Sequence, residues 1–325
     1  MALENVNQEM NTSKQEILIT HTNNEIDAIV TEASRIILGK KHVIKLALAC
    51  LFARGHLLIE DLPGVGKTTL SHVLAKILGL SFQRIQFTSD LLPADILGIS
   101  IYNRDSGSFS FHPGPIFSQI ILADEVNRAT PRTQSALLEA MEEHQVTVEG
   151  ETRLLPKPFF VIATQNPSNQ VGTFPLPESQ LDRFMMRIEL GYPDARAERE
   201  LLLGSDRREM LLDVTAIIPP ERLLEIQSLA KNIHVAHAIL DYLQDLLEFS
   251  RQTNDFKNGL SPRAGLAILH CARAWALMEG HAQVLPEDLQ AILPSVISHR
   301  LHGTGDVIPS ATDVADRLIK QVPIP

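Results

Sequence analysis

Short apolar runs alternate with longer stretches of helical spacing through the first two-thirds of the chain, and this alternation is the primary structural signal. Residues 56–60, 82–87, 119–123, 159–164 and 187–190 read as core strands. Helical patterns lie between most of them, which predicts an α/β fold with a five-stranded parallel sheet covered on both faces. Helices are predicted at about 25–38 and 41–53, broken at Gly39 and closed by Gly55. Two pairs of alternating segments read as hairpins: 99–102 with 108–111, and 145–148 with 152–155. Residues 1–23 are rich in Asn, Gln, Glu and Thr and read as a polar tail. From Arg196 to about residue 320 the pattern is helical throughout, with Pro and Gly breaks and no strand. A boundary therefore falls near 190–193, dividing a core at 24–190 from a smaller all-helical domain at 191–325.

Bulk composition narrows the picture. A chain of 325 residues is expected to hold roughly two domains. The net charge of −10 gives no reason to expect a nucleic-acid partner, and no Lys/Arg run is present. Cys50 and Cys271 sit in apolar helical patterns without metal or disulfide spacing, and read as reduced core residues. No apolar run approaches the ~20 residues of a membrane span, and the N-terminal segment lacks a signal core. A cytoplasmic protein is the resulting expectation.

The chemistry begins at Glu60-Asp61-Leu62-Pro63-Gly64-Val65-Gly66-Lys67-Thr68-Thr69. An apolar strand precedes this loop and a helix follows it, which is the context of a phosphate-binding loop. The loop from Pro63 to Thr69 would surround phosphate oxygens with the backbone N–H groups that follow Pro63, Lys67 would reach the β- and γ-phosphates, and the Thr68 hydroxyl would sit on Mg²⁺. Asp61 stands where the motif G-x-x-x-x-G-K-[ST] has its first glycine. Its position outside the closest phosphate contacts makes it a tolerated variation.

A second strand ends in Asp124-Glu125. Asp124 suits a Mg²⁺ held mostly through water, and Glu125 suits the general base that polarises the attacking water. A third strand ends at Gln165-Asn166. Asn166 either orients that water, because an amide both donates and accepts, or forms an Asn-Pro turn. Arg183, in Leu181-Asp182-Arg183-Phe184, is either a charge that stabilises a neighbour's transition state or half of a surface Asp–Arg pair. Ser261-Pro262 opens a helix as N-cap and first residue. Arg263 then lies in a first turn whose dipole disfavours a cation, so it is either a phosphate partner or an ordinary exposed arginine.

Together these residues resemble the AAA+ ATPases, and more closely their MoxR family. The most specific stretch is 123–143, ADEVNRATPRTQSALLEAMEE, and 86–95 and 172–178 are similar to family segments as well. The resemblance implies Walker A at Lys67 and Thr68, Walker B at Asp124 and Glu125, sensor 1 at Asn166, an arginine finger acting in trans at Arg183 and sensor 2 at Arg263. It implies that Leu38-Gly39 lines the adenine and that ATP sits between core and lid, at the boundary of subunits in a ring, usually a hexamer. It further implies chaperone-like remodelling of a client protein, often with a partner carrying a von Willebrand factor A domain. A magnesium-chelatase-like or helicase-like motor subunit is one alternative, and a nucleotide-regulated scaffold without turnover is another. Arg128 and Arg132 either face the neighbouring subunit's nucleotide or are solvated or structurally paired, Arg153 is a candidate for a pore or interface contact, and Trp275 and Phe256 read as lid core.

Overall fold

Most of the core strands carry apolar residues on both faces, so the sheet must be covered on both sides. The computed structural model describes residues 2–105, 107–166, 172–204, 207–304 and 311–324. The first part contains helices α1 (Ala2–Ile36), α2 (Lys41–Phe52), α3 (Lys67–Ile77), α4 (Pro93–Leu97), α5 (Pro131–Glu143) and α6 (Glu178–Leu181). Interleaved with them are strands β1 (Leu57–Glu60), β2 (Phe82–Gln86), β3 (Gly98–Asn103), β4 (Ser108–Pro113), β5 (Ile120–Asp124), β6 (Gln145–Val148), β7 (Glu151–Leu154), β8 (Phe160–Gln165) and β9 (Met186–Ile188). Helices follow: α7 (Ala195–Leu203), α8 (Arg207–Leu212), α9 (Pro220–Lys231), α10 (His237–Gln252), α11 (Pro262–Met278), α12 (Pro286–Ile297) and α13 (Ala311–Gln321).

Five strands form one sheet in the order β2-β5-β8-β1-β9, with every neighbouring pair parallel. Alternation along the strands divides their side chains between two cores. Leu57 and Ile59 enter the larger core with α1, α2, α3 and the later helices, while Leu58, Ile121 and Val161 enter a second core with α4 and α5. The five strand positions agree with the sequence pattern to within about two residues. The remaining strands form the expected antiparallel hairpins β3–β4 and β6–β7. The Arg153 guanidinium lies 3.9 Å from the centroid of the Phe111 ring, so a cation–π contact joins the two hairpins.

The polar tail expected at 1–23 is instead part of α1, which continues unbroken to Ile36. Ile19, Ile26, Ile29 and Val30 share a buried face, and Thr22 and Asn23 beside it are paired. Thr22 accepts from Arg222 Nη2 at 2.9 Å, and Asn23 Nδ2 donates to the Met278 carbonyl at 2.6 Å. Polar composition signalled a tail, but buried polar groups with partners are compatible with a packed helix.

The later helices do not stand apart from the sheet. α11 packs against α1 and α2, α12 packs against β9, and their apolar residues join the larger core. Trp275 and Phe256 belong to that core. Cys50 and Cys271 are buried and unpaired with each other, and burial pushes the Cys271 thiol up to about 12. Among the described residues no helix is long and apolar enough to cross a membrane.

His56 ties the start of β1 to both neighbours. Its Nδ1 accepts the Val161 N–H at 3.0 Å and its Nε2 donates to the Met141 carbonyl at 3.1 Å, a pairing that assigns the neutral Nε2–H tautomer. Burial lowers its pKa from 6.5 to about 4. The unfolded chain therefore binds the proton first, so this contribution is complete above pH 6.5 and is lost as pH falls through about 4. Up to roughly 3 kcal/mol is expected to disappear across that window. Thermal unfolding of His56→Gln should show a shallower acid slope than the parent, with a residue left by buried His299, whose pKa is also held well below its ordinary value. An unchanged slope would contradict the assignment.

Candidate active site

Strands β1, β8 and β5 are adjacent, and their carboxyl ends deliver the sequence-predicted groups to one edge of the sheet. β1 leads into Asp61 and the glycine loop. Gly64 and Gly66 have φ of +85° and +101°, conformations that glycine adopts without strain. An added Cβ at Gly64 meets no atom within 4 Å, so open space lies over the loop. Gly66 precedes α3 and offers no side-chain cap, which leaves the first N–H groups of α3 available to a ligand. Lys67 is buried, and its Nζ donates to the Asp61 carbonyl at 2.5 Å and to Asn166 Oδ1 at 3.3 Å. Burial lowers the Lys67 pKa, opposed by Asp61, Asp124 and Glu125.

The Asp124–Glu125 pair is held by neighbours that the motif does not include. Thr164 Oγ1 donates to Asp124 Oδ1 at 2.6 Å and accepts the Glu125 N–H at 2.9 Å. Arg84 Nη2 reaches Asp124 Oδ2 at 2.5 Å. Glu125 has φ +57°, an uncommon backbone conformation for a glutamate that costs of the order of 1 kcal/mol. Its carboxylate accepts from Asn166 Nδ2 at 3.1 Å, Gln86 Nε2 at 3.0 Å and Arg128 Nη1 at 2.8 Å. Asn166 thus bridges the ammonium and the carboxylate through one amide. Pro167, the other half of the Asn-Pro turn, lies outside the described residues.

The oxygen donors at this edge suit Mg²⁺. Thr68 and Asp124 present hydroxyl and carboxylate oxygens. Among the described residues no cluster of three or more His, Cys, Asp or Glu could hold a metal by itself. Mg²⁺ is ordinarily bound through one or two carboxylates together with phosphate oxygens and water, which is the set this edge can supply.

Leu38 and Gly39 form the turn between α1 and α2. Gly39 has φ +69°, and an added Cβ would lie 3.2 Å from Ala197 Cβ, so the turn abuts the segment that follows β9.

Arg183 and Arg263 are not brought to the glycine loop. Both lie at the opposite, amino-terminal edge of the sheet, in a cavity of about 230 Å³ that Arg54, Gly55 and His56 also line. β1 separates the two edges by about 13 Å at ~3.3 Å per residue. A single carboxylate gathers both arginines: Glu142 Oε2 is 3.1 Å from Arg183 Nη2, and Oε1 is 2.6 Å from Arg263 Nη2. Arg263 lies away from the chain's own Lys67 because α11, which carries it, packs on α1 and α2. The N-cap at Ser261 forms as predicted, with its side chain accepting the Ala264 N–H. Asp182 does not pair with Arg183; buried Arg300 takes it at 2.7 Å and also donates to the Phe184 carbonyl.

Gln86, Arg84, Thr164, Glu142 and Arg300 escaped sequence reading. Gln86 lies in the 86–95 family segment and Thr164 at a strand end, which were available signals. Glu142 lies in the 123–143 family stretch, whereas Arg300 carries no local signature. Arg128, left open by sequence, holds Glu125, while Arg132 is exposed on the first turn of α5.

Thr164→Val is expected to keep nucleotide binding within about threefold while turnover falls at least about tenfold. The variant strips the donor from Asp124 and leaves the Glu125 N–H unpaired. Equilibrium titration alongside steady-state phosphate release measures both quantities.

Comparison with known proteins agrees with this geometry. Residues 56–186 match the model of the ATPase family associated with various cellular activities, and 248–320 match its AAA lid domain. The chain is 44% identical to the uncharacterized protein YeaC of Bacillus subtilis, across 84% of this chain and 85% of that one. It is 38% identical to the chaperone MoxR1 of Mycobacterium tuberculosis, across 92% and 82%. A crystal structure of a candidate ATPase from Cytophaga hutchinsonii superposes with a TM-score of 0.86 at 34% identity, covering 98% of this chain and 99% of that one. With its glycine loop, its Asp-Glu strand end, its lid and these relatives, the chain belongs to the MoxR family of AAA+ ATPases.

Proposed function

We propose that this protein hydrolyses ATP at the boundary between two copies of itself, and that turnover drives chaperone-like remodelling of a client protein. The observation that carries the reading is the separation of groups between sheet edges. Lys67, Asp124, Glu125 and Asn166 gather at one edge, whereas Arg183 and Arg263 converge on Glu142 at the other. A phosphate site that needs both sets is completed by a second subunit. Head-to-tail contact of this kind is heterologous, and when its rotation closes it generates a ring, here a hexamer.

Within that ring the loop from Pro63 to Thr69 and the start of α3 bind the triphosphate, and Leu38 and Gly39 line the base. Lys67 exchanges the Asp61 carbonyl for β- and γ-phosphate oxygens. Thr68 and Asp124 would hold Mg²⁺, which would supply positive charge beside the phosphate oxygens. Asn166 orients the attacking water, and Glu125 takes its proton. Gln86 and Arg128 hold one Glu125 oxygen, Oε2, and Asn166 alone holds Oε1, so Oε1 keeps a lone pair with which to take the proton. Arg183 and Arg263 of the neighbouring copy stabilise charge on the γ-phosphoryl group as it leaves.

The chaperone name of the MoxR1 relative supports remodelling as the output. Ile99, Ile101, Phe109 and Leu154 are exposed apolar residues on the two hairpins and offer a contact surface for a client. A partner with a von Willebrand factor A domain fits the same reading.

Glu125→Gln is expected to bind ATP while losing at least about 100-fold in phosphate release. Arg183→Ala and Arg263→Ala should each bind ATP and lose turnover, by about 10³ for Arg183. Mixing either with Lys67→Ala subunits, which supply intact arginines but no working phosphate loop, should restore part of the activity. Absence of rescue in both mixtures would sink action between subunits.

A further inference from the structure

Asp61 is a working residue rather than a tolerated variation. Its Oδ2 accepts two backbone N–H groups, from Leu190 at 2.7 Å and Gly191 at 2.6 Å, and its Oδ1 accepts the Leu62 N–H at 2.7 Å. Its own N–H donates to the Gln165 carbonyl at 3.3 Å, and its carbonyl holds Lys67 Nζ. One residue therefore ties the glycine loop to β8 and to the strap that leaves β9.

That strap runs directly to the Leu38–Gly39 turn. Lys40 Nζ donates to the Tyr192 carbonyl at 2.7 Å, and Gly39 abuts Ala197 and Asp194. Asp194 caps α7 by accepting the Ala197 N–H at 2.8 Å. Gly191 has φ +62°, so the strap turns sharply at the point where Asp61 grips it. A charged acceptor of two adjacent amides is a strong and directional anchor. The glycine usual at this position of the motif has no side chain with which to make it.

We propose that the Asp61 carboxylate sets the position of the base wall, formed by Leu38–Gly39 and the strap at 190–194, relative to the phosphate cradle. Asp61 is thus a positioning residue that lets base and triphosphate be bound by one rigid unit. The proposal rests on the reading that Leu38 and Gly39 line the base. Its consequence is that a change toward the common motif, Asp61→Gly, weakens recognition of the nucleotide.

The test compares Mg²⁺-ATP with Mg²⁺-tripolyphosphate, which has the phosphates and no base, by calorimetric titration of the full chain. The parent should prefer ATP. In Asp61→Gly and in the milder Asp61→Asn, ATP affinity is expected to fall about tenfold, equivalent to about 1.4 kcal/mol, while tripolyphosphate affinity changes by less than about twofold. Amide exchange in the peptide spanning 188–194 should accelerate in Asp61→Asn without ligand, a readout that stands even if the glycine variant folds poorly. Equal losses for both ligands would reduce Asp61 to shaping the phosphate loop and overturn the proposal alone. Unchanged affinities, or unchanged exchange, would overturn it as well. A parent that binds both ligands equally overturns the base-wall reading and the proposal with it.

Discussion

Parallel pairing of five strands gives the sheet two chemically distinct edges, and the rest of the molecule is organised by that polarity. Every chain that leaves a core strand leaves at the same edge, so β1, β5 and β8 deliver Asp61, Asp124 and Asn166 side by side without long side-chain reach. Every chain that enters a strand enters at the other edge, where Arg183 precedes β9 and His56 precedes β1. The same constraint that assembles the phosphate-binding groups therefore holds Arg183 away from them. Packing of α11 on α1 and α2 places Arg263 on that second edge too.

Charge balance follows from this division. At the carboxyl edge the Lys67 ammonium and the Glu125 carboxylate are linked through Asn166, Thr164 holds Asp124, and Arg84 and Arg128 add positive charge from the flanks. Nearly every contact there also fixes a direction, because Thr164 and Asn166 each make both a donating and an accepting bond. Preorganised polar groups of this kind are what hydrolysis of a phosphoanhydride requires. At the amino edge Glu142 spans two guanidinium groups, and Arg300 locks the segment that carries Arg183 by binding Asp182 and two or more carbonyls. Half-exposed pairs such as Glu142 with Arg263 contribute little to stability. They do bring the two guanidinium groups to one carboxylate.

The correction at the N-terminus and the explanation of Asp61 have a common origin. Composition describes residues one at a time, and by that measure 1–23 is a solvated tail and Asp61 an odd letter in a motif. In the folded chain Thr22 meets Arg222 and Asn23 meets Met278, so polar side chains lie on a buried helix face. Asp61 likewise meets Leu190 and Gly191, 129 and 130 residues further along. Neither partner leaves a trace in the local pattern.

What the sequence by itself determined is whatever depends on neighbours in the chain. Strand positions follow from apolar runs, the two hairpins from alternation around turns, the α11 start from Ser261-Pro262, and the phosphate loop from glycines flanked by a strand and a helix. The Asp-Glu strand end and Asn166 were legible for the same reason. Only the tertiary structure decided which edge each arginine faces, that Glu142 collects both of them, that Asp182 belongs to Arg300, and that Asp61 accepts the backbone N–H groups of Leu190 and Gly191. Local propensity is set by a few adjacent residues, whereas these pairings join segments about 40 to 130 residues apart and exist only once the sheet has brought them together.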